Sequence, residues 1–173
     1  MTLELLAAVV AAVAMAGIGL GLRRMSGGRL PRWFVPVAAG AGLLGFTFWN
    51  EYSWYGRVSA KLPPEISVVW FSREGQPLRP WTFVVPLTTR FVALDRREIA
   101  VHPERPGLRI ATLYSFARWQ PVGNGLVAVD CDGQRIAMLV QGAAISDRGE
   151  LSGADWTQPA PDDRTVQAVC EDG

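Results

Sequence analysis

Three polar residues of this sequence have the side-chain types that acid–base and phosphoryl chemistry uses. Asp130 and Asp132 follow an apolar stretch with one residue between them, and His102 is the only histidine of the 173-residue chain. Two neighbouring carboxylates can supply a nucleophile and an acid–base group, or can hold a divalent cation. A hydrolase with a site around these three residues is therefore one enzymatic alternative.

The segment Val127–Gly133 is an apolar strand that ends in Asp-x-Asp-Gly, and it resembles the first motif of the haloacid dehalogenase phosphotransferases. The resemblance implies a nucleophile at Asp130, an acid–base group at Asp132 and a bound Mg²⁺. It covers seven residues, Gln134 stands where the family has Thr or Val, and the only lysine, Lys61, precedes the motif instead of following it. Asp-Gly between apolar runs also predicts a two-residue hairpin turn. We expect the turn at this position.

The single histidine lacks the partner residues that common metal sites and nucleophilic sites need. The sequence has no second histidine for zinc, no Cys-x-x-Cys-His for covalent haem, and no Gly-x-Ser-x-Gly elbow. Because Pro103 and charged residues surround His102, we expect it in a solvated loop. The sequence therefore predicts no enzyme activity and no catalytic, cofactor-binding or metal-binding residue.

Charged residues are distributed unequally along the chain. Residues 1–56 contain six of them and residues 57–173 contain the other 27, while the net charge of the whole chain is +1. The first segment is too apolar for a soluble fold, and the second has an ordinary globular composition. The small net charge excludes nucleic-acid binding driven by bulk basicity. We predict two domains, residues 1–56 and 57–173.

Two uncharged runs predict a transmembrane helical hairpin. Leu5–Leu22 has 18 residues without a charge and Trp33–Trp49 has 17, close to the roughly 20 apolar residues that span a bilayer. The loop 23–32 between them contains Arg23, Arg24, Arg29 and Arg32. Because basic residues favour the cytoplasmic side, we predict a cytoplasmic loop, with the N-terminus and residues 57–173 in the periplasm. A cleaved signal peptide over residues 1–22 and an inverted topology are the alternatives. Signal peptides carry positive charge before the apolar run, whereas here the arginines follow it.

Small residues recur at four-residue spacing in both predicted helices, a pattern that lets helix backbones approach closely in lipid. They are Ala8, Ala12, Ala16, Gly17 and Gly21 in the first helix and Ala38, Ala41, Gly42 and Gly45 in the second. These residues can pack the two helices on each other, or one such face can dock onto another membrane protein. Both alternatives stay open.

An aromatic collar follows the second predicted span, with six aromatic residues within positions 46–55. Trp and Tyr anchor helices at the membrane interface, and together with Arg they also carry much of the energy of protein interfaces. We predict an interfacial anchor or a partner-contact surface that consists of Phe48, Trp49, Glu51, Tyr52, Trp54, Tyr55, Arg57 and Trp81.

Residues 57–173 alternate mostly with period two, which predicts a small mainly-β (α+β) extracytoplasmic domain. The expected strands include Phe83–Leu94, interrupted by Pro86, then Leu108–Trp119, Leu126–Cys131 and Gln134–Val140. A short helix over Arg164–Cys170, capped by Asp162, is expected near the C-terminus.

The only two cysteines, Cys131 and Cys170, both belong to the second domain. In an oxidising compartment an isolated pair usually forms a disulfide, and two independent thiols are the alternative. We predict the disulfide, because the topology argument places the domain in the periplasm.

These features together predict a non-catalytic inner-membrane protein whose partners are the lipid bilayer and another membrane protein, as an accessory, assembly or interaction subunit of a larger complex. Sixteen arginines against one lysine fit a GC-rich bacterial genome. A periplasmic ligand-binding or sensing module is the alternative. It predicts a pocket with few polar groups, lined by Trp70, Trp81, Trp119 or Trp156.

Overall fold

The computed structural model describes residues 2–73, 75, 77, 79–140 and 142–171. The chain divides into two compact units, Met1–Gly56 and Arg57–Gly173. The helices are α1 (Thr2–Met25), α2 (Phe34–Ser59) and α3 (Thr165–Glu171), with a short 3₁₀ helix at Pro80–Phe83. The strands are β1 (Ile66–Phe71), β2 (Arg90–Val101), β3 (Leu108–Ala117), β4 (Gly123–Asp130), β5 (Arg135–Leu139), β6 (Ala144–Ile145) and β7 (Leu151–Ser152).

Only α1 is long and apolar enough to cross a membrane among the described helices, with a mean hydropathy of 2.4 in its most apolar window. A membrane anchor and a signal sequence near the N-terminus both have this length and apolar composition. α2 is a single helix of 26 residues that continues ten residues past the end of the predicted span at Trp49. Every 18-residue window of α2 includes Asn50 and Glu51, whose polarity lowers the mean. The prediction of an apolar N-terminal helix is therefore confirmed, whereas the second helix lacks the same apolar character.

The predicted mainly-β domain is confirmed. Five strands form an antiparallel meander in the order β1-β2-β3-β4-β5, and β6 and β7 form a separate small hairpin. Alternating side chains put Leu94, Leu113, Val127 and Val129 on one face of the sheet, where they pack with Val166 and Val169 of α3. Burial of each such side chain contributes about 1.5–3 kcal/mol, and this layer supplies the core.

Three local predictions are wrong. Residues 80–83 form the 3₁₀ helix, and β2 begins only at Arg90 because Pro86 cannot donate to the ladder. β4 pairs with β5 through Asp130 and Arg135, so four residues form the turn where two were predicted. Asp163, not Asp162, caps α3: its Oδ1 accepts the amide hydrogen of Thr165 at 2.8 Å.

The predicted disulfide between Cys131 and Cys170 is confirmed, with the two Cα atoms 5.8 Å apart. It ties the residue after β4 to the last turn of α3. Arg109 on β3 supports the same junction, because its Nη1 donates to the carbonyl oxygen of Val169 at 2.6 Å. Helix and sheet are thus joined covalently at one end of the core.

Candidate functional site

The side chain of Asp130 forms hydrogen bonds within the β4–β5 turn and to its far end. Its Oδ1 accepts the amide hydrogen of Gly133 at 3.0 Å, and its Oδ2 accepts a hydrogen from Nη2 of Arg135. Burial by itself raises the pKa of Asp130, but these hydrogen bonds and the charges of Arg135 and Arg105 outweigh it, and the pKa is lowered overall. Both carboxylate oxygens therefore stabilise the turn.

His102 is buried, with 8% of its surface exposed, so the prediction of a solvated loop residue is wrong. Its Nδ1 accepts the amide hydrogen of Glu104 at 3.3 Å, and its Nε2 lies 3.1 Å from the carbonyl oxygen of Ser146. This arrangement assigns the hydrogen to Nε2. The imidazole joins the loop after β2 to the β6–β7 hairpin. Asp132 is exposed, and its carboxylate lies against Gly107.

A second carboxylate–guanidinium pair was not found by sequence reasoning. The Asp95 side chain is 1% exposed and bonds Nη2 of Arg97 at 2.8 Å and Nε at 3.0 Å. The side-chain hydrogen bonds from Arg97 lower the pKa of Asp95, while burial acts in the opposite direction. In this pair, as in the Asp130–Arg135 pair, the carboxylate is bound by an arginine of the same sheet, so we assign both pairs a structural role. Among the described residues, no group of three or more His, Cys, Asp or Glu is arranged to hold a metal ion.

The small residues of the helical unit fall into two groups. A Cβ atom on Gly19 would lie 3.1 Å from Cβ of Ala38, and one on Gly42 would meet the Met15 side chain and the carbonyl oxygen of Ala11. Asn50 donates to the Glu4 carboxylate at 3.2 Å. As the residue numbers rise in α2 they fall in α1, so the two helices pack antiparallel.

The exposure of the small residues separates the packed face from a second face. Of the predicted packing residues, Ala8, Ala12, Ala16, Ala38 and Gly42 are partly buried. Ala41 is exposed, and apart from the adjacent residues and the backbone of the same helix, no described atom comes within 4 Å of a Cβ placed on Gly17, Gly21 or Gly45. We call Gly17, Gly21, Ala41 and Gly45 the outer small face. Gly19, which the sequence reasoning missed, is the buried glycine of α1.

The predicted collar lies on the last three turns of α2. Phe48, Trp49 and Tyr52 are exposed, and the rings of Phe46 and Trp49 contact each other at 5.9 Å. Glu51, Trp54 and Tyr55 are partly buried, and Arg57 is exposed. In the β unit, Trp81 is 44% exposed on the 3₁₀ helix. Of the basic loop, Arg24, Arg29 and Arg32 are exposed and Arg23 is partly buried.

A cavity of about 330 Å³ lies beside the N-terminal end of α3. Its base is a row of residues directly opposite one another across four strands: Trp70, Val92, Ser115 and Gly123. The next row has Gly125 opposite Leu113. Since the side chains shrink from indole to hydrogen along β1 to β4, the sheet surface is hollow there. We call this space the Trp70 cavity.

The walls of the Trp70 cavity are mostly apolar, with polar groups at the helix end. Ile136 and Met138 of β5 close one side, and Asp163 and Thr165 lie at the helix end. Ser115 of β3 and Asn124 of β4 are the other polar residues of the lining. The sequence predicted Trp70 as a lining residue of an apolar pocket, but Gly123, Asn124 and Gly125 were not predicted. Asn-Gly is a common turn signal, yet here these residues begin β4 and pair with β3.

The other tryptophans proposed for such a pocket lie elsewhere. The guanidinium of Arg118 stacks over Trp119 at 4.3 Å, and that of Arg135 lies 5.4 Å from the Trp156 ring. Trp70 is therefore the tryptophan that lines the cavity in the described part of the chain.

Fold and geometry together define a two-unit chain, in which a helical unit with one candidate membrane span precedes a disulfide-closed antiparallel β domain. Comparisons with protein-family models, with curated proteins and with solved structures find no significant match to it.

Proposed function

We propose that this chain is a non-catalytic protein of the bacterial inner membrane that serves as an accessory, assembly or interaction subunit of a larger membrane complex. The observation that carries the proposal is the outer small face. Gly19 and Gly42 already supply the close contacts between α1 and α2. Gly17, Gly21 and Gly45 are open, and small residues of this kind allow a further helix to approach closely in lipid.

In this proposal α1 and α2 both span the membrane, with loop 23–32 in the cytoplasm and residues 57–173 in the periplasm. The four arginines of the loop support this orientation through the positive-inside bias. The disulfide supports it independently, because such bonds persist in oxidising compartments. The exposed aromatics of the collar suit the interface at the periplasmic end of α2.

The orientation can be tested by thiol labelling, because the described chain has no free cysteine. Ser26→Cys in the loop and Asp147→Cys in the β6–β7 turn each introduce one thiol. In cells with a permeabilised outer membrane, an impermeant maleimide should label Asp147→Cys and should leave Ser26→Cys unlabelled until the inner membrane is opened. The reverse pattern would overturn the orientation, and equal labelling of both would overturn the two-span hairpin.

The subunit role is tested by purification from native membranes in a mild detergent, followed by sizing. We expect the chain to elute with another membrane protein, and Gly17→Leu or Gly45→Leu to weaken that association. Leu43→Ile, at a position of α2 that is 41% exposed and lies on the opposite side of the helix from Gly45, is the control and should keep it. A chain that runs alone and co-purifies with nothing would contradict the proposal.

The Trp70 cavity favours a second candidate function, a periplasmic ligand-binding module. Its volume lies at the lower end of the roughly 300–1,000 Å³ typical of small-molecule sites. A mainly apolar lining with a few polar groups is also typical of such sites.

A further inference from the structure

We propose that the Trp70 cavity binds a small, mainly apolar molecule that carries one positively charged amine. The proposal rests on the ligand-binding candidate function and names the class of ligand. It follows from three properties of the cavity: the glycines of its base, its aromatic wall and its single charge.

The backbone conformation does not require glycine at the base of the cavity, so the effect of the two glycines is to leave space there. Neither Gly123 nor Gly125 has a positive φ angle. A Cβ on Gly125 would meet only Cε of Met138 at 3.6 Å, and one on Gly123 only Cβ of Ser115 at 4.0 Å. A Cβ therefore has room at both positions, and a non-glycine residue would favour the strand. Because Gly123 and Gly125 have no side chains, the sheet surface between β3 and β5 stays open to the cavity.

The walls suit an apolar body. Trp70 and Val92 lie opposite each other on β1 and β2, and both are only partly buried. Met138 on the far side is 48% exposed, and its unbranched side chain adapts to the shape of a ligand. An indole face also attracts cations more strongly than other aromatic rings do.

Asp163 gives the cavity its charge preference. It is the only charged residue among the described residues of the lining. Its Oδ1 accepts hydrogens from both the backbone nitrogen and the hydroxyl of Thr165, which fixes the carboxylate at the end of α3. No cation of the described chain pairs with this carboxylate. A carboxylate and an indole that line the same cavity favour a cationic ligand and disfavour an anionic one.

Three probes with the same ring test this class: tryptamine, 3-ethylindole and indole-3-propionate. The full-length, ¹⁵N-labelled chain in micelles is titrated with each, and the amide signals of Ser115, Gly123 and Gly125 are followed. We expect saturable shifts with tryptamine, about tenfold weaker binding of 3-ethylindole and the weakest binding of indole-3-propionate. Absence of saturable shifts with all three probes would overturn both the proposal and the ligand-binding function.

Equal affinities for tryptamine and 3-ethylindole would overturn only the cationic class and would leave a ligand-binding cavity. The peptide N-acetyl-Trp-Lys-amide tests the source of the ligand. If it binds more tightly than tryptamine, the natural occupant is a protein segment, and the small-molecule assignment is wrong. Neither result bears on the subunit role, since sizing from native membranes does not involve the cavity.

Two pairs of variants locate the binding. Gly125→Val fills the base and should weaken tryptamine binding at least about tenfold, whereas Leu126→Val, on the opposite face of β4, should not. Asp163→Asn should abolish the preference for tryptamine over 3-ethylindole while its amide oxygen still caps α3. Asp162→Asn makes the same charge change outside the cavity and should keep the preference. Tryptamine binding that survives Gly125→Val would overturn the location.

Discussion

The Arg135 guanidinium binds the Asp130 carboxylate across the β4–β5 turn and lies 5.4 Å from the centre of the Trp156 ring. The ion pair holds together the two ends of a four-residue turn that includes Cys131. The disulfide to α3 therefore starts from a turn whose geometry is already set. The Asp-x-Asp-Gly segment has a structural explanation in this arrangement.

Asp130→Asn should lower the free energy of unfolding by about 1–2 kcal/mol, because a hydrogen bond between charged groups contributes about 1.5–3 kcal/mol and Arg135 is partly solvated. Urea unfolding of the full chain in detergent, followed by tryptophan fluorescence, measures the change. Asp132→Asn, at an exposed position of the same turn, is the control and should stay within about 0.5 kcal/mol. Equal effects of the two variants would contradict the assigned role of Asp130.

The Asp95–Arg97 pair should make stability depend on acid pH. Because the pKa of Asp95 is lowered in the folded protein, its contribution is fully present above the unfolded pKa of about 3.9 and is lost as the pH falls through the folded pKa. The difference in unfolding free energy between wild type and Asp95→Asn should thus be largest above about pH 5 and should shrink below about pH 4. A difference that does not change with pH would refute the pairing. Asp147→Asn, an exposed carboxylate, should leave stability nearly unchanged throughout.

Loss of the disulfide should lower the free energy of unfolding by about 3–4 kcal/mol, the chain-entropy value for a separation of 39 residues. Unfolding of the wild-type chain with and without reductant, compared with the double variant Cys131→Ala, Cys170→Ala, measures it. Reductant should destabilise the wild type and should not affect the double variant. If reductant shifts both equally, the effect does not come from this bond.

Helix packing in the first unit should depend on Gly42 and not on Gly45. The pair Gly19→Cys, Ala38→Cys should cross-link on oxidation, since the two Cβ positions are 3.1 Å apart. Adding Gly42→Leu, which inserts a side chain against Met15, should slow that cross-link about tenfold, because overpacking costs about 1–3 kcal/mol. Gly45→Leu should leave the rate unchanged, as its Cβ faces open space. Equal rates for the two leucine variants would show that α1 and α2 do not pack through Gly42.

Several elements of the fold could be predicted from the pattern of apolar residues along short segments. The uncharged run after Glu4 predicts α1, and alternation around Leu113 predicts β3, because burial of one face imposes the period. Two lone cysteines predict their own pairing when no other partner exists. Errors arose where a local signal had two meanings. The strand predicted from Leu126 begins already at Gly123, since Asn124-Gly125, a pair typical of turns, is held extended by pairing with β3.

The sequence by itself determined the apolar helix, the mainly-β class of the second unit and the identity of the cystine, since each depends on composition or on a period along the chain. Only the tertiary structure decided that His102 is buried against Ser146, that Gly19 packs while Gly17 does not, and that Trp70 shares a cavity with Asp163. Each of these depends on cross-strand register or helix rotation, which brings together residues far apart in the chain. Register and rotation are set by the packing of the whole unit, and no short segment encodes them.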